Sequence, residues 1–233
     1  LSNDILANKG TIDKYIGDCV MAFWNAPLTL DNHEEYALRT ALMMDYSLSM
    51  LNKEVKSERL QGIESFKVGV GINTGLAVVG NIGSEQRLEY SVLGDSVNLA
   101  SRLEGQTKYY GVNAIVSEST AFKYFNKFAF LELDLIEVKG KREAVKIYAL
   151  LGDERLVNNM EFKEFSLLHT QMLSCYRGRQ WDVANELVQK CLKHAQFVEQ
   201  MQKFYGIYQK RIDFYKNNPP DEKWCGVFVA ENK

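Results

Sequence analysis

The chain has 233 residues, 46% of them hydrophobic and 25% charged, an ordinary composition for a globular protein of one large domain or a domain plus an appendage. A formal net charge of −2 argues against nucleic acid as a partner, and no apolar run approaches the roughly 18 residues that a membrane span needs. Four widely spaced cysteines (Cys19, Cys175, Cys191, Cys225) and three scattered histidines exclude a disulfide framework or a zinc cluster; they read as reduced, mostly buried thiols in a cytoplasmic protein.

Thr11 to Trp24 reads as two short apolar runs around Gly17-Asp18, a β-hairpin with Asp18 at its tip and Lys14 four residues earlier. Asp31 to Lys56 is a helix, with Glu34 and Glu35 suited to its first turn and Ala37, Ala41, Met44, Leu48 and Leu51 at helical spacing. Phe66 to Thr74 alternates Val68, Val70 and Ile72 with small residues and predicts a strand. Leu76 to Val79 predicts the next strand, and Gly80 to Gly83 an open connection. Glycines 69, 71, 75, 80 and 83 suggest close backbone approaches to a helix or a ligand, yet they form neither a dinucleotide-binding nor a P-loop pattern.

The stretch from Glu89 to Gly105 is the most informative. Tyr90, Val92 and Leu93 suit a strand, Gly94-Asp95 breaks it, and Asp95 or Ser96 is placed to cap a helix. In that helix Leu99 and Leu103 share one face, while Asn98 and Arg102 share the adjacent one, so an amide and a guanidinium stand in parallel where an anionic ligand could be held. A strand at 113–116, a short helix at 118–125, a strand at 128–138, the turn 139–141 and a strand at 145–151 follow. Strands mixed with helices, without regular βαβ alternation, predict an α+β sandwich. Residues 152–159 read as a polar linker. Residues 160–217 read as two or three helices (162–176, 181–196, 198–215), with Leu168, Tyr176, Trp181, Ala184 and Leu187 placed as in a tetratricopeptide helix pair; one such pair needs a surface or partner to cover its face. Pro219-Pro220 stops the last helix, and residues 218–233 form a tail lying on a surface.

Three segments in this order, K-Y-I-G-D at 14–18, Y-S-V-L-G-D-S-V-N-L-A-S-R-L-E at 90–104 and E-V-K-G-K at 137–141, resemble the catalytic domain of class III nucleotide cyclases, with G-I-N-T-G-L-A-V-V-G-N-I-G-S between them. The resemblance covers about residues 10 to 151. It implies a ferredoxin-like sandwich, here with a C-terminal helical extension, and a homodimer with active sites between subunits. It also implies ATP as substrate, attack of the ribose 3′-hydroxyl on the α-phosphate, and two Mg²⁺ or Mn²⁺ per site. Carried over by residue, Asp18 is a metal ligand, and Lys14 and Ser91 address the adenine, Ser91 in the manner of a bacterial Thr/Ser subgroup. Asn98 orients the ribose, Arg102 stabilises charge at the α-phosphate, and Lys139 contacts the terminal phosphates. The family's other metal carboxylate lies on a strand well upstream of the hairpin. Seventeen residues precede Asp18 here, and Asp4 and Asp13 match nothing in that pattern, so the first strand is expected to be absent and residues 1–233 alone to be nearly inactive. The competing expectations are a degenerate cyclase-like domain that binds or dimerises without turnover, and an interaction module working through 160–217.

Overall fold

In the computed structural model, which describes residues 1–57, 65–137 and 144–229, three strands of the main sheet alternate between two hydrophobic cores. Strands β6 (Ala114–Ser117), β7 (Phe128–Glu137) and β8 (Val145–Asp153) send Ile115, Leu131, Leu133, Ile147 and Ala149 to one side. They send Ala114, Val116, Phe128, Phe130, Tyr148 and Leu150 to the other. Helices close both faces, as the α+β expectation requires.

The chain opens with α1 (Ser2–Ala7), the hairpin β1 (Thr11–Ile16) and β2 (Cys19–Phe23), and the long helix α2 (His33–Ser57). Strand β3 (Val70–Ile72) precedes a second hairpin, β4 (Val78–Ser84) and β5 (Arg87–Leu93), and then α3 (Asp95–Tyr110). After β6 come α4 (Glu118–Ala121), β7, β8 and α5 (Glu154–Val157). The C-terminal part holds α6 (Met160–Arg177), α7 (Trp181–Leu192), α8 (Ala195–Val198), α9 (Gln202–Asn217) and β9 (Val227–Val229). The main sheet has the order β3-β6-β8-β7-β9; β1-β2 and β4-β5 are separate two-stranded sheets. Helix α2 contributes Leu38 and Ala41 to one core. Helix α3 and the C-terminal helices share the other, where Leu99 and Leu103 meet Phe165, Met172, Tyr205 and Tyr208.

The structure changes several local expectations. Gly80 to Gly83 is no open connection: it lies inside β4, paired residue by residue with β5 from Gly80↔Ser91 to Gly83↔Leu88. Only Val70–Ile72 of 66–74 is a strand, because the rest lacks a ladder partner. Helix α3 starts without a side-chain cap: Gly94 is its N-cap, at φ 151°, and Ser96 Oγ donates instead to the Leu76 carbonyl at 2.6 Å. Residues 152–153 complete β8 and 154–157 form α5, with Asp153 accepting from the Arg155 amide as its N-cap, so the polar stretch read as a linker is ordered. The tail does more than rest on a surface, since β9 pairs in parallel with Leu135–Glu137 of β7. Of the thiols, Cys19 and Cys225 are exposed, the first beside a hairpin tip and the second in the terminal segment; only Cys191 is fully buried.

Candidate active site

The first and second hairpins meet around Asp13. The β1–β2 ladder shifts register between Ile12 and Lys14, so Asp13 is the extra residue of a β-bulge, a feature that re-aims a side chain. Its carboxylate, 1% exposed, accepts a hydrogen bond from Ser91 Oγ at 2.9 Å and lies 3.6 Å from Lys14 Nζ. Lys14 also reaches Glu89 at 3.8 Å, and Asp13 Oδ1 is buried without a hydrogen-bond partner. Hydrogen bonds from Arg87 and the charge of Lys14 lower the Glu89 carboxyl below its usual range. The structure thus brings Lys14 and Ser91 together through Asp13. No motif singled out Asp13; the one available signal was its place beside Lys14 on a strand that has to bend. Ser91 itself is 4% exposed beneath this contact.

Asp18 sits in the Gly17-Asp18 turn, exposed, with Gly17 at φ 63° making the turn. Burial, then the negative charges of Glu104 and Asp18, raise the neighbouring Cys19 thiol. Asn98 and Arg102 are both exposed on α3, on the face adjacent to the buried Leu99 and Leu103, as the helical spacing predicted. Lys139 falls outside the described residues.

Two features fix α3 relative to β3 and the turn before it. A Cβ on Gly71 would lie 2.1 Å from the Ala100 carbonyl oxygen and 2.3 Å from the Glu104 amide, so only glycine lets the helix backbone lie on the strand. Asn73 Nδ2 donates to the Ser96 carbonyl at 2.9 Å, and Ser119 Oγ donates to Asn73 Oδ1 at 3.1 Å, tying the 73–76 turn to the first turn of α3 and to α4.

The donor set does not fit a two-metal centre. Among the described residues, no group of three or more His, Cys, Asp or Glu is gathered in one place; Asp18 stands at the tip and Asp13 is turned toward Ser91 and Lys14. Two Mg²⁺ need several oxygen ligands in near-octahedral arrangement.

A family model described as adenylate and guanylate cyclase catalytic domain matches residues 5–152. Adenylate cyclase 1 of Rhizobium meliloti is 39% identical over 160 residues, which are 69% of this chain and 24% of that protein. The adenylate cyclase of Anabaena cylindrica is 38% identical over 143 residues, 60% of this chain and 28% of that protein. This chain therefore spans about a quarter of the length of these curated relatives. Among solved structures, the adenylyl cyclase CyaB from P. aeruginosa aligns with a TM-score of 0.55 at 32% identity, covering 64% of this chain and 76% of that one. The guanylyl cyclase Cya2 aligns with a TM-score of 0.53 at 30% identity, covering 65% and 75%. The α+β sandwich, the strand–turn–helix that carries Ser91, Asn98 and Arg102, and a family match across most of the first 152 residues lead to one conclusion: this chain belongs to the adenylate and guanylate cyclase catalytic-domain family.

Proposed function

We propose that this domain is an adenylate cyclase, converting ATP to cyclic AMP and pyrophosphate in intracellular signalling. The observation that carries the reading is the single rigid segment β5–Gly94–α3, which holds Ser91, Asn98 and Arg102 in fixed register within the family-matched region. In the reaction the 3′-oxygen bonds to the α-phosphorus, the bond from that phosphorus to the β-bridging oxygen breaks, and the 3′-hydroxyl proton leaves. Arg102, a planar and permanently charged fork, stabilises the charge that grows on the α-phosphate oxygens. Asn98 orients the ribose, and Lys139 contacts the leaving pyrophosphate.

The choice of ATP over GTP rests on Lys14 and Ser91. Lysine donates only, and adenine presents a bare ring nitrogen where guanine carries a proton. Because Ser91 gives its hydroxyl proton to Asp13, its lone pairs are left to accept from the adenine amino group. With Ser91 buried under β1, the hairpin has to draw back for a base to reach it. A homodimer, with Asp18 of one subunit facing Arg102 of the other, suits the exposed apolar residues of the second hairpin region: Leu76 (96% exposed), Val78, Leu88 and Leu93. Asp18 is proposed as one ligand of the metal ions that the resemblance implies; its carboxylate alone does not complete a centre for two.

The test is the product formed from ATP and GTP by residues 1–233, beside the same chain fused to the corresponding upstream segment of the Rhizobium relative. Little Mg²⁺-dependent turnover by the first and ATP-selective cyclisation by the second, abolished in Arg102→Ala, is expected. Equal use of both nucleotides would remove the base assignment. Comparable rates from the two chains would show that Asp4, Asp13 or another group already completes the site.

A further inference from the structure

Helix α3 does not end free. Its last turn is gripped by α9 and β9. Lys203 Nζ donates at 2.5 Å to the Lys108 carbonyl, one of the terminal acceptors that the helix itself leaves unpaired. The same side chain covers Gly111, the left-handed residue that stops the helix (φ 74°), where a Cβ would lie 2.6 Å from Lys203 Cβ. Arg211 donates to Asp134 Oδ2 at 2.6 Å and to the Tyr109 hydroxyl at 3.3 Å, while the Tyr110 hydroxyl donates to the same Asp134 oxygen at 2.8 Å. The Arg211 guanidinium lies 3.9 Å from the centre of the Phe228 ring, and that ring stacks on Tyr109 at 5.6 Å.

These groups form a closed unit. Asp134 is 0% exposed on β7, between β8 and the terminal strand β9, and requires a cation. Burial works against the charge of Arg211, but Asp134 together with the Tyr208 and Tyr110 hydroxyls outweighs it, and the guanidinium is held above its ordinary value. One cation thus joins the sheet, the last two residues of α3 and the terminal strand. An α-helix rises about 1.5 Å per residue, so Arg102 lies only about 10 Å along the same rod from Tyr109. A displacement at the gripped end is carried to Arg102.

We propose that Arg211 is a positioning residue: through Asp134, Tyr109 and Tyr110 it fixes the C-terminal end of α3, and with it the placement of Asn98 and Arg102. The helices from 160 to 217 are then part of the catalytic unit. Only the turnover half of the test rests on the cyclase reading.

The experiment compares Arg211→Met, Arg211→Lys and Lys203→Ala with the wild type. Amide hydrogen exchange is measured on residues 1–233, and steady-state turnover of ATP on the upstream-fused chain. In Arg211→Met, exchange over 98–110 should accelerate at least about tenfold more than in α2. Its kcat should fall by up to about a hundredfold, the effect of misplacing a catalytic group by around an ångström, with KM within about twofold. Arg211→Lys should restore part of both. Should Arg211→Met not fold, Lys203→Ala carries the same pattern at smaller amplitude. Acceleration spread evenly over the molecule, an unchanged kcat despite local loosening, or indistinguishable Lys and Met variants would overturn the assignment. A wild-type chain that does not cyclise ATP defeats the functional reading alone; the exchange pattern then decides whether Arg211 anchors α3.

Discussion

Arg102 stands on the solvent side of α3, one turn beyond Asn98, with nothing in its position that contributes to the core. Replacing it should therefore separate catalysis from folding. Arg102→Lys keeps the charge and loses the fork; kcat should drop about ten- to a thousandfold with little change in KM or melting temperature. A dominant effect on KM would make Arg102 a ground-state binder. His169 is the opposite kind of residue. Its Nε2 contacts the Glu132 carbonyl at 2.7 Å, which only accepts, so Nε2 carries the proton and Nδ1 accepts from the Tyr205 hydroxyl at 2.9 Å. Burial pushes its pKa down from 6.5 to about 4. Between those values the unfolded chain binds the proton and the folded chain does not, so stability is lost as pH falls from about 6.5 to about 4. The full shift corresponds to about 3 kcal/mol, at roughly 1.4 kcal/mol per unit. Urea unfolding at stepped pH should show this slope, and His169→Gln should flatten it.

At the scale of elements, the contact that matters most is between α3 and β3. Gly69 and Gly71 let the helix descend onto the strand; a Cβ on Gly69 would fall 2.3 Å from Thr107 Oγ1, a side chain able to give, whereas on Gly71 it would meet backbone. Gly71→Ala therefore cannot be absorbed by a rotamer change. It should cost about 1–3 kcal/mol or more by denaturant unfolding, against a smaller loss for Gly69→Ala. Equal losses would mean that the helix is free to shift. The β-bulges act at this scale too. One turns Asp13 toward Lys14 and Ser91. Another, at the register shift between Glu132 and Asp134 in β7, leaves carbonyls for His169 and for Tyr208, whose hydroxyl donates to the Leu133 carbonyl at 2.8 Å.

For the molecule as a whole, the C-terminal helices and the sheet share one apolar core, so the two parts of the sequence do not separate into independent folding units. Leu131, Leu133, Ile136 and Ile147 of the sheet are covered by Phe162, Phe165, Tyr205, Tyr208 and their neighbours. A chain ending at Asn159 would leave that face in water. It should lose its fixed tertiary packing, bind a hydrophobic dye and aggregate, while keeping much of its secondary structure. A cooperative unfolding transition in residues 1–159 with intact near-ultraviolet dichroism would show that the helices are an accessory. Among the described residues, no helix is long and apolar enough to cross a membrane.

Much of the fold class, and the family membership of the first 152 residues, were written in local sequence. Alternation along 145–151, the turn pair Gly17-Asp18, the spacing of Asn98 and Arg102 against Leu99 and Leu103, and the order of three short motifs depend only on period and neighbours, and they placed hairpin, sheet and helix. What local pattern could not contain was anything decided by a distant partner. Gly80 to Gly83 became a strand because β5 lay alongside it. Ser96 gave up its capping role because the Leu76 carbonyl was within reach, and residues 227–229 became a strand because β7 had an open edge. Asp13, Asp134 and Arg211 look like ordinary surface charges in the sequence. Folding buried the two carboxylates and set Lys14 and Ser91 beside the first and Arg211 beside the second, because a buried charge persists only where the rest of the chain supplies its counter-charge and hydrogen bonds.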